Sequence, residues 1–279
     1  MSLLKMLQNN KERTALYASD YGQCRRKIFF SFFKEDYPPN SSPDARVARI
    51  FENGNMVHER LGAYLRMDPA LEFVDEVVVP RDALCVHGRC DGIVTVAGAK
   101  LCVVEFKSIN KDAVLEPKDE HRGQLMFYLH QFTVRRAFLR KKFGIDVDAP
   151  PTDEQWRTSV SVEGEKLCDI TDVLDVRLLC SQGPIDGEII YESKGTQALT
   201  CFPVQYDADV ATQVVHWYIG LRLCIEARTV PSDHHLPSKF PCSWGFGDFA
   251  GKCPYFSICH GEKKHLLKDP VGNCTLTKE

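Results

Sequence analysis

The sequence predicts an α/β fold, a mixed central sheet flanked by helices, and three observations predict it. Helix-like and strand-like periodicities follow one another as helix, three strands, helix, two strands, helix, an order that suits a mixed sheet with helices on its faces. The 279 residues are 44% hydrophobic and 26% charged, enough for a substantial core and unlike a disordered or collagen-like chain. The apolar runs, such as Leu101–Val104, are strand-sized and far short of the ~20 residues of a membrane span.

The elements follow in order. From Asp44, a plausible N-cap, to about Arg66, the spacing of Val47, Ile50, Phe51, Val57, Leu61 and Leu65 reads as an amphipathic helix. Phe73–Val79, Cys85–Val96 and Lys100–Ile109 are β-rich, with Gly98 turning the last two into a hairpin. Asp119 to about Phe143 carries Leu125, Tyr128, Leu129, Phe132 and Leu139 on one side and stops at Gly144, a second helix. Residues 145–186 show no clear period, hold Pro150-Pro151 and read as an insertion. Two strands, Glu188–Glu192 and Leu199–Val204, precede a helix over Asp207–Arg228, and a loop-like tail follows. The first residues, MSLLKMLQNNKERT, lack the apolar centre of a signal peptide, so a soluble cytoplasmic protein with no membrane attachment is expected. Neither a GxxxxGK[ST] phosphate loop nor a GxGxxG turn occurs, which argues against a nucleotide-driven motor or a dinucleotide enzyme.

Chemistry concentrates in two places. In the first, Asp91 interrupts a strand pattern, and Val104-Glu105-Phe106-Lys107 follows. Alternation puts Glu105 and Lys107 on one face of a strand and Val104 and Phe106 on the other. A charge pair on a mostly apolar strand costs desolvation unless a partner or a metal compensates. Two neighbouring carboxylates suit a hard divalent cation, Mg²⁺ or Mn²⁺, and an adjacent ammonium suits the charge of a transition state. A cross-strand salt bridge in a hairpin is the plainer reading of the same residues. Farther along, Gln124 and Tyr128, four apart, share a helical face, and Gly54-Asn55-Met56-Val57-His58 places a histidine on the first helix.

The series G-x3-H, GxxD, ExK, Q-x3-Y resembles the RecB-like branch of the PD-(D/E)XK nuclease superfamily, well over residues 45–142 and loosely near Tyr191. The resemblance implies a restriction-endonuclease-like core. It makes His58, Asp91 and Glu105 metal ligands, helped by the main-chain carbonyl of Phe106, makes Lys107 the catalytic lysine alongside Asp91 and Glu105, and puts Gln124 and Tyr128 against DNA.

The second place is the cysteines, 12 in a chain with a net charge of only −3. Cys242, Cys253 and Cys259 lie in 18 residues of loop, and Cys24 stands far upstream beside Arg25-Arg26-Lys27. Four thiolates hold either zinc or an iron–sulfur cubane, and the lack of two close CxxC-like pairs favours the cubane. The same arrangement resembles RecB-like nucleases with an iron–sulfur staple: AddB-like subunits, the CRISPR-associated RecB-like exonuclease family and its phage relatives. It implies a [4Fe–4S] cluster on Cys24, Cys242, Cys253 and Cys259, with Cys274 as the alternative to Cys242. Cys85, Cys90, Cys102, Cys201 and Cys224 fall in apolar patterns, as small core residues do. Arg25 and Arg26 are the best candidates for phosphate contacts.

These readings give one nuclease domain over 1–279. Residues 45–142 and 187–228 form its core, 145–186 an insertion, and 1–44 with 229–279 a helical and loop cluster region. The expected function is a divalent-metal-dependent deoxyribonuclease, an exonuclease on single strands or DNA ends. Its setting would be protospacer processing beside a CRISPR integrase, or phage recombination with a recombination partner. A different class remains open: a catalytically idle iron–sulfur module that binds DNA or a helicase.

Overall fold

A computed structural model of the protein describes residues 13–39, 45–79, 86–96, 100–110, 114–142, 144, 173–232, 253–255 and 258–259. The chain divides into two compact units, one of residues 1–16, 20–52 and 216–279, the other of 17–19 and 53–215.

The larger unit holds a five-stranded sheet of β1 (Leu71–Val78), β2 (Arg89–Val96), β3 (Lys100–Ile109), β4 (Asp186–Ser193) and β5 (Leu199–Val204), adjacent in chain order. The β3–β4 pair is parallel and the other three are antiparallel, so the sheet is mixed. Helix α2 (Ala45–Met67) packs its Val57 and Leu61 against Val94, Val104, Phe106 and Ile190, the apolar face of the sheet. Helix α3 (Asp119–Lys142) covers the opposite face, so closely that a Cβ added at Gly187 would lie 2.8 Å from Leu125. The expected mixed sheet between helices is present.

Four details differ from expectation. Gly88 separates a two-residue strand, Val86–His87, from β2, where the sequence predicts one strand over Cys85–Val96. The segment read as an insertion contains helix α4 (Val173–Cys180), whose run of branched and apolar residues shows no helical polarity. Helix α3 binds it: Arg135 pairs with Asp175, and Arg140 donates to the Ser181 carbonyl at 2.5 Å. Arg135 and Arg140 are thus held by structural contacts. Cys201 is exposed rather than core, because β5 is an edge strand. Gly98, Cys85 and residues 145–172 lie outside the described residues.

In the smaller unit, helix α1 (Arg25–Phe32) forms where the sequence shows only aromatic and basic residues by turns. Its Phe29 and Phe30 are buried against Tyr255, with Phe33, Tyr37, Cys253 and Cys259 around them. The last helix, α5 (Ala208–Glu226), starts from Asp207, whose Oδ1 accepts the amides of Asp209 and Val210. No helix among the described residues is long and apolar enough to cross a membrane.

Candidate active site

Register brings the site together. The β2–β3 ladder ends at Gly92 opposite Val104, so Asp91 stands at the next step, beside Glu105. There its carboxylate takes over from the ladder: Oδ2 accepts the Phe106 amide at 2.6 Å and Oδ1 meets His58 Nδ1 at 2.9 Å. His58 arrives from α2, its ring edge-on to Phe106.

Glu105 is buried at 2% exposure and sits in a closed triangle. Its Oε1 accepts Lys107 Nζ at 2.6 Å and Gln124 Nε2 at 2.7 Å, while Gln124 Oε1 accepts Lys107 Nζ at 3.1 Å. Gln124 also donates to the Tyr128 hydroxyl at 2.8 Å, and that hydroxyl in turn donates to the Arg89 carbonyl at 3.2 Å. Helical spacing puts Gln124 and Tyr128 in line over β3, and both reach inward to this network. Glu105 Oε2 is buried without a hydrogen-bond partner among the described residues.

That orphan oxygen agrees with the electrostatics. Burial raises the Glu105 carboxyl to about 7 against the pull of the Lys107 ammonium, and the Asp91 charge adds to the rise. At Lys107 burial acts downward, but Glu105 outweighs it and the ammonium is held above its ordinary value. Burial would likewise lower His58, yet its contact with Asp91 leaves it raised. Tyr128 is pushed well up by burial and by Glu105, and keeps its proton. The pocket gathers two carboxyl groups, one ammonium and an imidazole around one buried carboxylate oxygen.

A divalent cation fits that donor chemistry, since the carboxylates are hard oxygen ligands and one buried oxygen is unused. Among the described residues, however, no group of three or more His, Cys, Asp or Glu side chains is arranged to hold an ion. Intramolecular bonds account for this: His58 and the Phe106 amide engage Asp91, and Lys107 and Gln124 engage Glu105 Oε1.

Two residues without a predicted role complete the wall. Tyr191 on β4 stands opposite Lys107 in the parallel ladder. Its hydroxyl accepts the Lys118 amide at 3.1 Å and shares a hydrogen bond of 2.7 Å with His121 Nδ1, whose direction follows the imidazole tautomer. Burial, then the charges of Lys107 and Lys118, lower the His121 imidazole to about 3. The signal in the sequence is position: His121 precedes Gln124 by three on the same helical face.

In the smaller unit, Cys24 is buried at the N-cap of α1 with no side-chain capping bond. Cys253 and Cys259 flank Tyr255 in the aromatic cluster, and Cys253 is raised by burial and then by the nearby Cys24. Cys242 and Cys274 lie outside the described residues. Arg25 is half-buried, and Arg26 is buried with Nε lacking a partner.

No protein-family model matches the chain, and no curated protein sequence does. Among solved structures the chain is similar to SSO0001, at 17% identity and a TM-score of 0.48 over 92% of this chain and 91% of that one. LHK-Exo in complex with dAMP aligns at 11% identity and a TM-score of 0.37 over 77% of this chain and 89% of that one. The alkaline exonuclease LHK-Exo from Laribacter hongkongensis aligns at 10% identity and a TM-score of 0.36 over the same shares. At these values the likeness fixes no chemistry, which rests on the residues themselves.

Proposed function

We propose that the protein is a divalent-metal-dependent deoxyribonuclease, an exonuclease acting on single strands or DNA ends. The observation that carries this reading is the network of Asp91, Glu105, Lys107 and Gln124, with a buried carboxylate oxygen that has no partner among the described residues. Asp91, Glu105, His58 and the Phe106 carbonyl would hold Mg²⁺ or Mn²⁺. Bound there, such an ion supplies Lewis-acid polarisation of a phosphoryl oxygen and acidifies water. Lys107 keeps its proton at Nζ, fixed by Glu105 Oε1 and Gln124 Oε1, and offers that charge to the phosphoryl group undergoing attack. Gln124 and Tyr128 hold Glu105 and the end of β2 in place, and in this reading Gln124 also lies along the DNA path.

A [4Fe–4S] cluster on Cys24, Cys253, Cys259 and either Cys242 or Cys274 belongs to the same proposal. Its support is the thiol chemistry and the placing of Cys24, Cys253 and Cys259 in one unit. Work beside a CRISPR integrase or in phage recombination follows from the sequence resemblance.

The test is degradation of end-labelled DNA with Mg²⁺ or Mn²⁺. Glu105→Gln and Lys107→Ala should each slow it by about a thousandfold or more, and chelation should stop it. Wild-type rates in both variants, or cleavage indifferent to chelator, would overturn the assignment. Iron and sulfide analysis of anaerobically prepared protein tests the cluster, which Cys24→Ala should abolish.

A further inference from the structure

On the face of the sheet covered by α3, a cleft of about 570 Å³ opens between that helix and the edge strand β5. Its volume falls in the range of about 300–1,000 Å³ typical of small-molecule sites. Arg122, Met126, Phe202, Pro203, Tyr206 and Asp207 line it. Arg122 is exposed, and among the described residues its guanidinium has no hydrogen-bonding or ionic partner. Asp207 is the one acid in the lining, and its Oδ1 is committed to the first amides of α5.

Both rings are braced. Tyr206 stacks on His130, with centroids 6.3 Å apart, and its hydroxyl lies 3.1 Å from His130 Nδ1. Phe202 meets Tyr191 edge to face at 5.8 Å. Tyr191 stands opposite Lys107, so Lys107, Tyr191 and Phe202 cross three adjacent strands on one face of the sheet. Two strand spacings separate the backbone of Phe202 from that of Glu105 by roughly 10 Å, with the buried Tyr191 ring between Phe202 and Lys107. A cation for a phosphate and rigid aromatic walls for a base are the elements that bind unpaired nucleic acid.

We propose that this cleft binds the unpaired nucleotide beside the phosphodiester presented to Lys107 and Glu105, its base against Phe202 and Tyr206 and its phosphate on Arg122. The assignment rests on the nuclease reading and deepens it: the preferred substrate has a single-stranded segment at the site.

The experiment measures binding of a fluorescein-labelled oligothymidylate and of a blunt hairpin duplex to the full-length protein in EDTA, so that no hydrolysis intervenes. Arg122→Gln should weaken single-strand binding severalfold and flatten the salt dependence of log K by about 0.7. Phe202→Leu should weaken it about tenfold with the salt slope unchanged, and should leave duplex binding alone. Wild-type single-strand affinity in both variants overturns the proposal, as does an equal loss for single strand and duplex in Phe202→Leu. Arg122→Gln, at an exposed position, carries the test if Phe202→Leu disturbs the packing on Tyr191. Binding of the expected kind by a protein that never cleaves DNA would sink the nuclease reading and leave the cleft standing. Cleavage with unchanged binding in both variants would do the reverse.

Discussion

The two faces of the central sheet are built from the same strands to opposite ends. Beneath α2, Val94, Val104, Phe106 and Ile190 close a dry surface with Val57 and Leu61. Beneath α3, the alternate residues of β3 are Leu101 and Val103, buried and apolar, followed by Glu105 and Lys107, tied to Gln124 and Tyr128. One face contributes apolar burial, roughly 25 cal/mol per Å². The polar end of the other costs desolvation and returns it through mutual bonding. The contrast confines the buried charges to one end of the α3 face.

The sharpest way to break the contrast is to remove one charge. Lys107→Met leaves Glu105 buried without its ammonium and should destabilise the protein by about 3–5 kcal/mol in denaturant unfolding. Adding Glu105→Gln to Lys107→Met should restore much of that loss, while activity stays absent. If the double variant is as unstable as the sum of the singles, the two residues are not coupled and the closed triangle is not the organising feature.

On the apolar face the corresponding weak point is steric. A Cβ at Gly92 would lie 2.2 Å from the Phe73 ring, so Gly92→Ala should cost about 1–3 kcal/mol through overpacking. Phe73→Leu should relieve part of this in the same background. A fully stable Gly92→Ala would mean that the ring moves aside freely.

A further test of the polar face is its pH dependence. His121, lowered to about 3, stays neutral in the folded protein, whereas the unfolded chain takes up its proton near 6.5. Its contribution is therefore complete above about pH 6.5 and declines as pH falls from there toward 3. His121→Asn should flatten the stability profile in that window, and an unchanged profile would assign the slope to another group.

Much of this was legible because it is local. Alternation along Val104-Glu105-Phe106-Lys107 assigns faces without any tertiary knowledge, and the i,i+4 relation of Gln124 and Tyr128 puts them on one stripe. What escaped depends on distant partners. That Gln124 bonds Glu105 requires α3 to lie over β3, and that Tyr191 braces His121 requires the parallel register of β3 with β4. Helix α1 escaped for a different reason: its aromatic residues have modest helix propensity and its N-cap is a cysteine that makes no capping bond. Burial of Phe29 and Phe30 on Tyr255 supplies what local preference does not.

The parallel pairing of β3 and β4 has a kinetic consequence. Lys107 meets Tyr191 across a sequence separation of 84 residues (191 − 107), so that wall of the site forms only after a distant strand has found its register. Hairpins such as β4–β5 are short-range and close early. Chain-closure entropy grows slowly, by only about 0.6 kcal/mol per doubling of length, so a change of length between α3 and α4 carries little entropic cost. The reactive groups, seated on the sheet, would keep their positions while that stretch diverged.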